Sequence, residues 1–207
     1  MPPKVKFSKE EIIEAAVNIT REKGITSVTA REVGNALGVS SRPLFTYFKS
    51  VEELKLEVYN YAQRLYEDCV REGLKQKIPF LGVGQQYIRF AKTETELYRY
   101  LFLNPPEGVK GGAMDALKHS QNLVRDSLMK IYNINEKTAD KYFRDLWLVA
   151  YSITTLIVTG ECPYTDEEIS DIFTEFSVSI LKAYKEIPGL PDGNFDKDAV
   201  FRALVNK

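Results

Sequence analysis

The stretch 29–48, TAREVGNALGVSSRPLFTYF, constrains the fold of this chain more than any other. It reads as a short helix, a tight turn and a second short helix. Thr29 is placed to cap the first helix, and Glu32 follows three residues on, the spacing of a reciprocal capping box. Val33, Ala36 and Leu37 give that helix one apolar face. Gly38 stands where a left-handed residue ends a helix without steric cost. Val39 then turns inward, and Ser40 or Ser41 is placed to cap the next helix. Pro43 falls in that helix's first turn, where its missing N–H matters little. Leu44 and Phe48, four apart, share one face and leave Ser41, Arg42, Pro43, Thr46 and Tyr47 nearer the other. This is the pattern of a helix-turn-helix, whose second helix is built to lie in a DNA major groove.

The flanks fit that reading. Ser8 begins a helix with Glu11 in capping-box position, and Ile12, Ile13, Ala16, Val17 and Thr20 form its inner stripe. Lys23 and Gly24 end it, a cation suited to the helix dipole followed by a glycine stop. Ser50 opens a fourth helix, again with a glutamate three residues on, Glu53. Leu54, Val58, Tyr61, Ala62, Leu65 and Cys69 keep one apolar stripe along it. The N-terminal arm adds Lys4 and Lys6, either a solvated end or a phosphate contact.

Residues 45–54, FTYFKSVEEL, with Leu44 before them, resemble the LYxYFxSKEEL stretch of TetR-family transcriptional regulators. The resemblance runs from near Ile12 to Leu54, about a quarter of the chain. Phe45 stands where the family usually has Tyr, and Val51 where it often has Lys. The resemblance implies an all-α protein: an N-terminal three-helix DNA-binding domain, residues 1–50, then a helical-bundle ligand-binding and dimerisation domain, residues 51–207. The fourth helix, 51–72, would connect the two.

Charge supports this division. The chain carries a net charge of −1, yet residues 1–50 hold eight basic and five acidic side chains, a net +3, which leaves −4 for the remainder. A basic front and an acidic rear suit a DNA reader joined to something that is not one. With 44% hydrophobic residues the chain can bury a substantial core. Cys69 and Cys162 lie far apart and form no metal or redox motif, so two reduced thiols in a cytoplasmic protein are expected. The first residues have no apolar core of the signal-peptide kind. The longest apolar run, 146–158, is shorter than the roughly 20 residues that span a bilayer, and Tyr151, Ser152, Thr154 and Thr155 interrupt it.

Past a break at 73–79 every convincing segment is helical: 80–92, 94–103, 114–132, 135–159 and 165–187, with turns at 104–108 (NPPEG) and at Gly111 and Gly112. Thr165 and Glu168 make a capping box, and Ile169, Ile172, Phe173, Phe176, Ile180 and Tyr184 the stripe of the last long helix. The tail, 188–207, is turn-rich with one short helix near 196–204.

Catalysis finds little support. A single histidine, His119, excludes a histidine-built zinc site, and Gly82, Val83 and Gly84 lack the strand-to-helix context and lysine of a phosphate loop. No enzyme, cofactor or metal is expected. DNA binding finds more. Arg42, with a fork that pairs with guanine acceptors, is the leading candidate for base readout, and Ser41, Pro43 and Thr46 suit shorter polar or thymine-methyl contacts. The resemblance implies phosphate contacts for Thr29, Tyr47 and Lys49, with Lys55 a further candidate.

The resemblance also implies a homodimer, paired through the helices at 140–158 and 166–184, and a small effector. Tyr87, Phe90, Tyr98, Phe102, Met114, His119, Trp147, Tyr151 and Thr154 form a candidate ligand set, largely apolar with a few polar tips; each is equally a core residue. The expectation is a cytoplasmic transcriptional regulator, a repressor released by an apolar or aromatic effector through a population shift carried by the fourth helix. Two alternatives stay open: a DNA-binding protein of the same fold with a protein partner or no effector, and a helical enzyme or carrier whose hairpin is structural.

Overall fold

Capping side chains decide where most of the helices begin. The computed structural model describes residues 7–109 and 112–205, and over these the chain is helical with no strand. Lys4, Lys6 and Gly111 lie outside the described residues. The helices are α1 (Lys9–Lys23), α2 (Ala30–Ala36), α3 (Leu44–Tyr47), α4 (Val51–Leu74), α5 (Pro79–Thr93), α6 (Thr95–Tyr98), α7 (Ala113–Tyr132), α8 (Glu136–Thr159), α9 (Asp166–Glu186) and α10 (Lys197–Val205). Reciprocal capping boxes at Ser8–Glu11 and Thr165–Glu168 start α1 and α9. The Asn135 side chain accepts from the Thr138 N–H to start α8.

Helices α1, α2 and α3 close around Ile12, Ala16, Val17, Val33, Leu44 and Phe48, all nearly inaccessible to solvent, and rest on Leu54 and Val58 of α4. Several local details differ from the sequence reading. Thr29 caps α2, but Glu32 does not return the bond; its carboxylate lies toward Lys23 at 3.8 Å. Ala36 faces solvent, and Gly34 takes the inner position instead. A Cβ at Gly34 would sit 2.9 Å from the Val39 carbonyl oxygen, so only glycine lets the turn fold this closely onto α2. Gly38 has φ +67°, as the helix stop requires. Neither Ser40 nor Ser41 caps α3, which begins at Pro43 with tight i to i+3 bonds from Phe45 to Arg42 and from Thr46 to Pro43. At the start of α4, Ser50 accepts from the Glu53 N–H, but Glu53 reaches back to the Lys49 N–H at 2.6 Å.

Along α4 the buried stripe is Leu54, Val58, Tyr59, Ala62, Tyr66 and Val70, while Tyr61, Leu65 and Cys69 sit half-buried on the flank. Leu54, Val58 and Ala62 are the buried members of the stripe expected from the sequence; Tyr61, Leu65 and Cys69 are not. Past Ala62 the buried stripe turns to Tyr66 and Val70 because α5 packs on α4 there, with a close backbone approach between Gly73 and Gly82. A Cβ on Gly82 would lie 2.3 Å from the Gly73 carbonyl oxygen. Small residues permit backbone contact, and the aromatic residues of both helices then interlock on either side.

After α6 the chain widens into a single π turn, Arg99–Leu103, closed by the Asn104 N–H on the Arg99 carbonyl at 2.8 Å. The wider turn lets three successive side chains, Tyr100, Leu101 and Phe102, face the core. In α7, Leu117, Val124 and Leu128 are buried and Ile131 is not. Helix α8 packs on α5 and α7 and buries ten of its residues, whereas α9 lies on it more loosely and buries only Ile169. The tail is fastened to α8 by Lys137–Asp192 (3.0 Å) and by Lys141 to the Leu190 carbonyl (3.0 Å). Its helix α10 leaves Phe201 and Leu204 in solvent.

Candidate functional site

The second helix of the helix-turn-helix, α3, is short and held from behind. Leu44 and Phe48 fix α3 to the core, so the residues between them must point out. Arg42, Thr46, Tyr47 and Lys49 are exposed, and Ser41 and Pro43 are half-buried at the start of the helix. The side chains of Arg42, Lys49 and Lys55 make no ion pair with any described residue, which leaves their charge available to an anion. Lys55 is half-buried, one turn into α4. Thr29 is exposed, but its hydroxyl is engaged in capping Glu32 at 3.1 Å. Tyr47 donates its hydroxyl to the Phe7 carbonyl at 3.0 Å, so the start of the described chain lies beside α3.

Sequence reasoning passed over one residue here. Phe45 is 53% exposed, in the middle of the outward face. Its signal was its register: one residue past Leu44, it cannot share the inner stripe with Leu44 and Phe48.

This N-terminal head is tied to the body at two points. Arg21 of α1 grips Glu94, at the α5–α6 junction, through two bonds of 2.7 Å, and its guanidinium lies over the Tyr61 ring at 5.7 Å. That bonding raises the Arg21 pKa, against the opposing effect of its partial burial. Lys9 pairs with Glu57 of α4 at 2.7 Å, which raises the lysine's pKa and lowers the carboxyl's.

Between α5, α8 and α9 lies a cavity of about 520 Å³, within the range of small-molecule sites. Of the nine residues proposed for a ligand, Tyr87 and Trp147 line it. Phe90, Tyr98, Phe102 and Thr154 sit behind its wall as buried core. Tyr151 stacks on Trp147, ring centroids 5.2 Å apart at 13°. Met114 is 57% exposed on α7, and His119 faces Glu67 at 3.4 Å, both away from the cavity. The wall the sequence set omitted comes from Phe80, Ile88, Phe143, Leu146, Ile169 and Phe173. Two of these, Ile169 and Phe173, belong to the stripe of the last long helix.

Behind that wall runs a buried hydroxyl chain. The Tyr87 and Tyr98 hydroxyls are 2.9 Å apart, and Tyr98 meets Thr154 Oγ1 at 2.6 Å; Tyr66 meets Ser120 Oγ at 2.8 Å. Burial raises the pKa values of Tyr66, Tyr87 and Tyr98, so these phenols stay neutral. The Trp147 Nε1–H is buried with no acceptor in bonding geometry. Among the described residues no cluster of acidic, histidine and cysteine side chains is arranged to hold a metal, and no helix is long and apolar enough to cross a membrane.

Residues 12–58 match the family model described as bacterial regulatory proteins, tetR family. The fold matches the solved structure of a TetR-family member from Streptomyces coelicolor A3, with a TM-score of 0.60 over 84% of this chain and 98% of that one. The two are 17% identical, a likeness that speaks for the fold. No curated protein matches the chain in sequence. The N-terminal helix-turn-helix domain, residues 12–58, is thus similar to that of the tetR family of bacterial regulatory proteins.

Proposed function

We propose that this DNA-binding regulator is a sequence-specific repressor that acts as a homodimer in the cytoplasm and is released by a small apolar or aromatic effector. The observation that carries the reading is the outward face of α3, where Phe45, Thr46 and Tyr47 project from a helix locked by Leu44 and Phe48, with Arg42 exposed on the turn that leads into it. A helix so held can enter a major groove, where Arg42 pairs with a guanine and Thr46 or Phe45 meets a thymine methyl. Thr29, Tyr47, Lys49 and Lys55 then take phosphates, Thr29 and Tyr47 giving up internal bonds to do so.

Residues 1–50 form the reader and 51–207 the regulatory body, with α4 shared between them. One reader spans only a few base pairs, so a two-fold dimer gains affinity by occupying two grooves a turn apart. The α8 and α9 faces support that pairing: Leu148, Phe176 and Val178 are 46%, 48% and 58% exposed on helices otherwise built for packing. The cavity beside α9 is the effector site. Because α5 carries its wall and ends at the Glu94 clamp on α1, an occupant favouring one placement of α5 shifts the reader with it.

Selection of bound duplexes from a random pool tests this. The expected product is an inverted repeat with half-sites centred about one helical turn apart. An enriched site without two-fold symmetry would overturn the dimer, and no enrichment would overturn sequence-specific binding.

A further inference from the structure

The cavity is amphipathic along its length. At one end Phe80 and Phe143 make an apolar wall. At the other, about three turns further along α5, stand Arg89 and Lys92, with Asp166 at the start of α9 against Lys92. From residue 80 to residue 92 the axis advances about 18 Å at the α-helical rise. Charge at the polar end does not cancel. Lys92 is engaged with Asp166, while the Arg89 guanidinium makes no hydrogen bond or ion pair with any described residue. The nearby Glu94 is already held by Arg21. The polar end therefore keeps a net positive charge beside a long apolar slot.

We propose that the occupant is an elongated amphipathic carboxylate, its apolar chain lying along α5 beneath α9 and its anionic head on Arg89. This rests on the reading of the cavity as the effector site and adds the chemical class. A guanidinium with open donors binds a carboxylate through charge-assisted bonds, whereas a neutral head of equal length accepts only an uncharged hydrogen bond and a cationic head is repelled. The apolar length supplies affinity by burial, and the head supplies orientation and selectivity.

The protein carries its own reporter, since its single tryptophan, Trp147, lines the cavity. Trp147 emission is titrated with decanoate, decanol and decyltrimethylammonium, each below its aggregation limit, on wild type, Arg89→Gln and Gly84→Leu. Gly84 lies on the cavity wall with nothing within 4 Å of a Cβ there, so leucine fills the slot without a backbone clash. Decanoate is expected to bind at least about three-fold more tightly than decanol, the scale of a partly exposed charge pair. Arg89→Gln should equalise the two, and Gly84→Leu should weaken both. Decanol binding as tightly as decanoate, or the cationic amphiphile binding more tightly, would overturn the carboxylate assignment and leave the cavity as an effector site. No saturable change with any of the three would overturn the assignment and the cavity reading together.

Discussion

Alanine at Gly82 and alanine at Gly84, two residues apart on one helix, should move stability in opposite directions. At Gly82 the added Cβ would meet the Gly73 carbonyl oxygen at 2.3 Å, a backbone atom that cannot rotate away. To relieve the contact, α4 and α5 must separate, and Tyr66, Tyr87 and Phe90 lose the ring contacts the crossing permits. Overpacking of this kind costs about 1–3 kcal/mol and more where backbone is involved, against a gain of about 0.8 kcal/mol from replacing helical glycine by alanine. The net loss for Gly82→Ala is about 2 kcal/mol, a fall in Tm of about 4–8 °C for a chain of this size. At Gly84 nothing lies within 4 Å of the new atom, so only the propensity gain remains and Gly84→Ala should stabilise by about 0.8 kcal/mol. Urea unfolding followed by helix circular dichroism and by Trp147 emission reads both variants. Equal stabilities for the two alanines would refute the close α4–α5 crossing on which the account of head and cavity depends.

Three further predictions follow from the same contacts. A double-mutant cycle on Arg21→Ala and Glu94→Gln should give a coupling of about 1 kcal/mol in unfolding free energy, a bidentate pair discounted for its partial exposure; additive losses would mean that the clamp does not hold the head. The folded-state pKa values of Tyr66, Tyr98, Tyr100 (pushed up to about 12) and Tyr142 are raised by burial. Unfolded tyrosines ionise near 10, so their contribution to stability is full below that pH and is lost above it; unfolding free energy should fall steeply from pH 10 upward, and a flat profile to pH 12 would contradict their burial. Replacing thymines by uracil in a selected duplex should weaken the wild type about three-fold at the position Phe45 reads and leave Phe45→Ala unaffected; equal sensitivity of the two proteins would remove Phe45 from readout.

The reading head was legible because its signals are local. A cap at Thr29, a left-handed glycine at Gly38 and the Leu44–Phe48 pair each depend on neighbours within a few residues. The head's finer geometry was not, since Gly34 is required by the returning turn at Val39, which no helical period records. On α4 the stripe of Leu54, Val58 and Ala62 was legible, but beyond them α5 sets the buried face at Tyr66 and Val70 rather than at Leu65 and Cys69. For the cavity, aromatic character alone could not separate wall from core. Tyr98 and Phe102 are as aromatic as Phe80 and Phe143, but Tyr98 on α6 and Phe102 in the π turn after it are buried in the core, while α9 leaves the others on an open slot. The fold class rests on periodicity; the cavity rests on how loosely one helix lies on another.

The central claim is that α3 reads DNA through Arg42. It is tested most directly by titrating a labelled genomic fragment from immediately upstream of this protein's own gene, at two salt concentrations, with wild type and Arg42→Ala. The account predicts binding tighter than to random duplex, weakened by salt through displaced counterions, and a loss of about ten-fold or more in the variant, confined to the specific fragment. Equal loss on specific and random DNA would make Arg42 a phosphate contact, and unchanged specific binding by Arg42→Ala would contradict the claim.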